Sequence, residues 1–289
     1  MIAFLKLIRW SNLLMMALTL VGAFYANTCQ LPNLSTATLL GMLIVSVVSV
    51  AAGGYAINDY FDIRSDRKNK PEKIVIGKEI KKRWAIIIHW TFSLVAIALS
   101  SYLSYCLHSW LYVIVHFTAI LLLWYYSTIV KRVMLLPNFL ISLLVAILPL
   151  LVIHLLHDLY LPLIHKTLFM FMALFMFIIN LAREIVKDVQ DMEGDALRDI
   201  KTVPLVYGRK KAYLVSAALL FCLLPGYAWL KAVLSFSNQS PFGMVMLSGI
   251  VVSQCMVLGL LWNRSPRWIS FGLKVSMLIG ISSLFMLCL

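Results

Sequence analysis

Residues 36–66 read TATLLGMLIVSVVSVAAGGYAINDYFDIRSD. An uncharged run of 22 residues, 36–57, leads without a break into Asn58-Asp59-Tyr60-Phe61-Asp62-Ile63-Arg64-Ser65-Asp66. About 20 apolar residues are enough to cross a bilayer as a helix, so the stretch predicts a transmembrane helix whose end carries the pattern D-x-x-D-x-x-x-D. At about 100° per residue, Asp59, Asp62 and Asp66 fall within roughly 60° of one helical face. The pattern recurs at Lys187-Asp188-Val189-Gln190-Asp191-Met192-Glu193-Gly194-Asp195, again after a long apolar run. There Asp188, Asp191 and Asp195 share a face, Glu184 joins them one turn earlier, and Gly194 is a position where the helix is free to bend. Eleven of the 12 acidic residues lie either between Asp59 and Glu79 or between Glu184 and Asp199. Carboxylates this scarce and this clustered predict two halves of one site.

The rest of the chain has the composition of a membrane protein. It is 62% hydrophobic and only 13% charged, with a mean hydropathy of +0.92, well outside the range of soluble domains. Apolar runs near 7–26, 36–57, 84–106, 109–127, 136–156, 160–182, 212–232, 242–262 and 268–288 predict an all-α, polytopic bundle of about nine transmembrane helices. No polar stretch is long enough for a separate soluble domain, so residues 1–289 are expected to form a single membrane domain. The first run is read as a retained span rather than a cleaved leader, because it is long enough to cross and further spans follow.

The formal charge of +13 follows the topology. Segments on one side of the expected bundle hold 22 of the 25 Lys and Arg residues, and the opposite loops hold only Lys231. By the positive-inside rule the chain is N-in and C-out, with both aspartate windows at the cytoplasmic face of a cell membrane. That account leaves no basic excess to explain through nucleic acid. The five cysteines are scattered, with no C-x-x-C pair, and predict neither a disulfide framework nor a zinc site. The windows are 129 residues apart with four expected spans between them, the arrangement of a parallel internal repeat.

Six aspartates brought together repel strongly. At an effective dielectric near 20, two unit charges 4 Å apart interact by about 4 kcal/mol, so protons, basic side chains or metal must neutralise them. Oxygen ligands without nearby histidine or cysteine favour Mg²⁺ or Ca²⁺. Mg²⁺ takes one or two carboxylates and completes its shell with water and phosphate oxygens, which makes paired windows a holder for a Mg²⁺-bound diphosphate. The candidate metal ligands are Asn58, Asp59, Asp62, Asp66, Asp188, Asp191 and Asp195. Arg64, Lys68, Lys70, Lys187 and Lys201 are close enough in sequence to reach the phosphate oxygens the metal leaves uncovered.

Asn58-Asp59-x-x-Asp62-x-x-x-Asp66, followed by Asn69-Lys70-Pro71, resembles the first motif of the UbiA-type intramembrane prenyltransferases. Arg183-Glu184-x-x-Lys187-Asp188-x-x-Asp191-x-x-Gly194-Asp195, followed by Lys201-Thr202-x-Pro204 and Gly208, resembles the second. Arg9 with Asn12, Tyr126 with Lys131-Arg132, and Asn138 are weaker echoes, so the likeness runs nearly the length of the chain. It implies a helical bundle around an apolar cavity, two Asp-rich loops that bind Mg²⁺ and an isoprenyl diphosphate, and a lipid-like or aromatic acceptor. Carried over by position, it implies Asp62, Asp191 and Lys131 as catalytic, with Arg9, Asn12, Tyr126 and Lys131 joining the basic residues at the substrate.

Within the superfamily the second motif is most similar to digeranylgeranylglyceryl phosphate synthases, which prenylate a glycerol-phosphate hydroxyl in ether-lipid biosynthesis. Trp10 stands where that branch has proline, and Ile74-Val75-Ile76-Gly77 replaces a proline-serine-glycine turn. Prenylation of an aromatic acceptor in quinone biosynthesis is the alternative reading. A divalent-cation transporter is the remote one, because transporters place their ionisable groups near the bilayer midplane and these aspartates sit at helix ends. The implied chemistry is departure of diphosphate from an allylic carbon, with charge stabilised as it develops and water excluded by the cavity. No protein nucleophile is needed, and no obligate protein partner is evident.

Overall fold

The computed structural model describes residues 2–69, 71–156, 163–197, 200–234, 241–261 and 265–288. Lys70, expected near the diphosphate, lies outside those residues. Twelve α-helices follow in order among the described residues: α1 (Ile2–Leu7), α2 (Trp10–Thr28), α3 (Leu34–Asn69), α4 (Lys82–Cys106), α5 (Leu111–Thr128), α6 (Leu136–Leu155), α7 (Leu163–Ala196), α8 (Val203–Tyr207), α9 (Arg209–Phe221), α10 (Leu223–Leu234), α11 (Pro241–Leu261) and α12 (Pro266–Met286). Seven stretches among the described residues are helical, long and apolar enough to cross a membrane. The other two expected spans coincide with α2 and α11.

Three boundaries differ from expectation for identifiable reasons. The first span starts with a break: α1 ends at Leu7, Arg9 takes a left-handed backbone (φ 52), and α2 begins at Trp10. The seventh span is two helices, because Pro225 has no N–H to donate and its ring crowds the carbonyl of Phe221, so the ladder stops between α9 and α10. Gly194 does not bend α7, which continues unbroken to Ala196.

The chain divides into two compact units. The first comprises Met1–Ala17, Pro32–Pro137 and Glu193–Lys201. Its centre is the packing of α3 on α4, where His89 Nδ1 meets the Gly53 carbonyl at 3.0 Å and small residues on α3 admit the neighbouring backbone. Beyond α3 the chain makes one 3₁₀ turn, Pro71–Lys73, and folds back. Val75 and Ile76 are buried in a cluster with Leu7, Ala56 and Ala85. Gly77, at φ 87, turns the backbone so that its N–H reaches the Ile80 carbonyl at 2.7 Å. The Ile74-Val75-Ile76-Gly77 segment therefore makes a turn without proline, held by two buried apolar side chains.

The second unit comprises Leu18–Leu31, Asn138–Met192 and Thr202–Leu289. The α11–α12 pair packs most extensively within it, and Gln254 on α11 donates to the Leu220 carbonyl at 2.7 Å beside the α9–α10 break. Cys29 and Cys288 form a disulfide, contrary to the expectation of none. Linear spacing gave no hint of it, because the two residues are 259 apart in sequence and meet only where the ends of α2 and α12 come together. Tyr25 and Phe285 stack beside the bond, with centroids 6.1 Å apart.

Candidate active site

In the first unit, α3 carries the first aspartate window in unbroken helix to Asn69. Asp62 is buried, at 9% exposure, and is ion-paired with Lys131, both side chains being 13% exposed. Lys131 comes from the short 3₁₀ turn after α5, and its ammonium also lies over the Tyr126 ring, 5.0 Å from the centroid. On the adjacent face Arg9 donates to Asp59 Oδ1 at 2.8 Å and stands 4.7 Å above the Tyr55 ring. Asn12 donates to the Tyr55 hydroxyl at 3.2 Å. The break between α1 and α2 thus has a purpose: a left-handed backbone at Arg9 costs about 1–2 kcal/mol, and it sets a guanidinium onto the window.

Four residues expected at the substrate, namely Arg9, Asn12, Tyr126 and Lys131, are therefore brought onto the first window from three separate segments. The like-charge repulsion anticipated there is met by basic side chains, one on Asp59 and one on Asp62. Asp59 and Asp66 line a small pocket with Ile63, Ile74, Val75 and Ile76, so the turn after α3 forms its wall. Arg64 and Lys68 are exposed on α3 and Lys201 is exposed before α8.

The end of the second window belongs to the same unit. The Gly194 N–H donates to Asn69 Oδ1 at 2.7 Å, and Lys68 lies 3.7 Å from Glu193. A β-carbon at position 194 would sit 2.6 Å from the Ser65 carbonyl oxygen and closer still to the Asn69 amide. Only glycine permits this approach. Asp195, half-buried on the last turn of α7, follows directly.

In the second unit α7 carries Glu184, Lys187, Asp188 and Asp191. Asn138 on α6 donates to Asp188 Oδ2 at 2.9 Å. Ser142 donates to the Asn138 carbonyl at 2.6 Å, and Asn180 donates to Ser142 at 3.2 Å. Lys187 reaches both oxygens of Glu184 at 2.7 Å, and Arg183 donates to Glu184 at 3.3 Å. Asp188 and Asp191 are half-buried.

Among the described residues no three His, Cys, Asp or Glu side chains are gathered into a preformed metal cage. The donor set nonetheless fits Mg²⁺, which needs only one or two protein carboxylates when substrate phosphate supplies further oxygens. Asn58 Oδ1 adds a buried acceptor that meets no donor among the described residues, an atom that is costly to bury unless something cationic or protic meets it. Tyr55 and the Ser142–Asn180 link were not anticipated. Tyr55 lies four residues before Asp59, and Asn138, Ser142 and Asn180 are polar residues in otherwise apolar runs, so helical spacing and composition were the available signals.

The signature described as the UbiA prenyltransferase family matches residues 15–278. The chain belongs to the UbiA prenyltransferase family. It is a multi-pass membrane prenyltransferase, as the two motifs and their expected spans imply. A digeranylgeranylglyceryl phosphate synthase of Thermococcus kodakarensis is 30% identical over 222 residues, covering 77% of this chain and 74% of that protein. The solved structure of a digeranylgeranylglyceryl phosphate synthase in membranes superposes with a TM-score of 0.67 at 23% identity, covering 99% of this chain and 97% of the other. A UbiA homologue of Archaeoglobus fulgidus, solved with DMAPP and Mg²⁺ bound, superposes with a TM-score of 0.69 at 17% identity, covering 99% and 98%. These last two likenesses concern the fold.

Proposed function

We propose that this UbiA-family protein transfers a geranylgeranyl group from its diphosphate to the free hydroxyl of geranylgeranylglyceryl phosphate, a step in ether-lipid biosynthesis, and that residues 1–289 act as one prenyltransferase domain. The observation that carries the reading is the first window, where Asp62 and Asp59 are each held by a cation brought from a distant segment. Carboxylates and cations interleaved in this way suit a magnesium diphosphate, whose metal engages the first and whose phosphate oxygens engage the second. The acceptor rests on the second motif and on the relatives that share it, since a fold alone underdetermines substrate.

When bound, Mg²⁺ supplies the positive charge that stabilises the departing diphosphate. The chain's own residues do the rest. Asn58, Asp62 and Asp66 from one window, and Asp188, Asp191 and Asp195 from the other, present oxygen ligands. Lys131 and Arg9, positioned over Tyr126 and Tyr55, orient the diphosphate and take up charge as the allylic C–O bond opens. Lys187, Lys201, Arg64, Lys68 and Lys70 offer further contacts to phosphate oxygens. The acceptor hydroxyl oxygen bonds to the allylic carbon as the carbon–diphosphate C–O bond breaks, and the hydroxyl proton passes to the departing diphosphate.

The reading also sets both windows at the cytoplasmic face. Supporting it are the lopsided distribution of Lys and Arg and the disulfide between the ends of α2 and α12, a bond suited to the exported side. The deciding experiment is a competition: purified protein in lipid, limiting labelled geranylgeranyl diphosphate, and equal geranylgeranylglyceryl phosphate and aromatic acid, with products separated by mass. The ether-lipid product is expected. Exclusive formation of a prenylated aromatic acid would overturn the acceptor assignment and leave prenyl transfer standing.

A further inference from the structure

Three polar side chains of the second unit stand in otherwise apolar runs, and the steps of prenyl transfer use none of them. Asn138 and Ser142 are on α6, Asn180 is on α7, and all three are buried. An amide or hydroxyl buried in an apolar setting costs free energy unless it is hydrogen-bonded. The direction of each bond follows from the chemistry of the groups. A carboxylate only accepts, so Asp188 Oδ2 receives an N–H of the Asn138 amide. Ser142 gives its one proton to the Asn138 carbonyl. Its oxygen is then left to accept, and Asn180 donates to it. At about 100° per residue, Asn138 and Ser142 lie about 40° apart on α6, and Asn180 and Asp188 about 80° apart on α7. The two bonds between the helices therefore join one face of α6 to one face of α7.

We infer that Asn138 is a positioning residue for Asp188 as a metal ligand, and that Asn180 and Ser142 fix α6 against α7 so that the amide reaches it; this rests on the metal role proposed above for Asp188. A hydrogen bond to one carboxylate oxygen fixes the rotation of the whole group, and with it the direction in which the carboxylate meets a cation. The amide is uncharged, so it orients Asp188 without cancelling the charge that attracts the metal. In the first window Asp59 and Asp62 meet Arg9 and Lys131 instead. Asn180 precedes Asp188 by eight residues, about 12 Å along α7, and Ser142 lies one turn, about 6 Å, beyond Asn138 on α6. Both are too far along their helices to touch a metal held by Asp188, so they act through Asn138. Joining the helices is a task Asn180 and Ser142 already perform, whereas the Asn138 amide is turned onto a carboxylate of the second window.

The test is binding of Mn²⁺, standing in for Mg²⁺ and followed by electron paramagnetic resonance, in nanodiscs loaded with an unreactive thiolo analogue of geranylgeranyl diphosphate. Asn138→Leu removes the amide at nearly constant volume, and Asn138→Ala removes it without adding bulk should the leucine not fit. Either should bind Mn²⁺ about 10- to 100-fold more weakly than wild type. Ser142→Ala keeps the amide and loses the link to α7, and should weaken binding about threefold. In turnover, the Mg²⁺ concentration for half-maximal rate should rise by the same factor in Asn138→Leu while kcat at saturating Mg²⁺ is kept. A merely loosened bundle would lower kcat at every Mg²⁺ concentration. Combined with Asp188→Asn, Asn138→Leu should weaken Mn²⁺ binding no further, because its effect passes through that carboxylate. Wild-type Mn²⁺ affinity in the Asn138 variants, a kcat that stays low at saturating Mg²⁺, or a further loss in the Asp188→Asn background overturns the positioning role and leaves Asp188 a ligand. Wild-type affinity in Ser142→Ala overturns the part given to Ser142 and Asn180. No Mn²⁺ binding by wild type, or wild-type affinity in Asp188→Asn, overturns the metal role of Asp188 and this role with it.

Discussion

Gly194→Ala tests how closely the tail of the second window must lie against the first. The added β-carbon would fall 2.6 Å from the Ser65 carbonyl oxygen, whereas ordinary contact is about 3.5 Å. Ser65 contributes backbone, which cannot rotate away, so the two segments must separate by about 0.9 Å. That displacement stretches the 2.7 Å bond from Gly194 to Asn69 to about 3.6 Å, beyond hydrogen-bonding range. Overpacking costs about 1–3 kcal/mol and the lost bond about 1 kcal/mol. The sum, about 2–4 kcal/mol, disfavours the observed arrangement by about 30-fold or more. With Asp191 three residues before and Asp195 one residue after, turnover should fall by at least about tenfold, together with a lower melting temperature. Asn69→Ala removes the hydrogen bond and the side-chain part of the clash but leaves the Ser65 carbonyl in place. The double variant should therefore resemble Gly194→Ala alone, the bond being lost only once. Thermal melts and labelled-donor turnover in nanodiscs read both quantities. Wild-type melting and turnover in Gly194→Ala would refute the close approach.

Three further outcomes are expected. Excess chelator should abolish prenyl transfer and added Mg²⁺ should restore it; turnover unchanged by chelation would remove the metal from the reaction. Asp62→Ala and Asp191→Ala should each lower turnover by orders of magnitude, with the double variant losing much less than the product of the two, as groups acting on one substrate do; multiplicative losses would mean two independent sites. Lys131→Met leaves the Asp62 carboxylate buried without its ammonium, a cost of about 3–5 kcal/mol. It should lower the melting temperature and turnover, while Lys131→Met with Asp62→Asn recovers the melting temperature but not the activity.

Much of this architecture was legible in the order of residues because membranes simplify the physics. A helix that crosses a bilayer must be long and apolar, so α3, α4, α5, α6 and α12 appear in the sequence nearly where they appear in space. The aspartate windows stood out because carboxylates are scarce here. What stayed hidden depends on distance in three dimensions. No local pattern announces that Arg9 adopts a left-handed backbone to meet Asp59, 50 residues away. Gly194 read as a hinge because its neighbours in sequence were visible and Ser65 and Asn69 were not.

The bond between Cys29 and Cys288 also changes the chain's connectivity. From residue 29 to residue 288 the polypeptide is a covalent ring, with residues 1–28 and residue 289 outside it. A ring survives a single cut. A protease that opens the backbone once between Pro71 and Lys82 leaves one covalent molecule, which runs as one band without reductant and as two with it. Nicked protein of this kind keeps its first and last long helices joined at one end, so separation of the fragments awaits reduction as well as proteolysis.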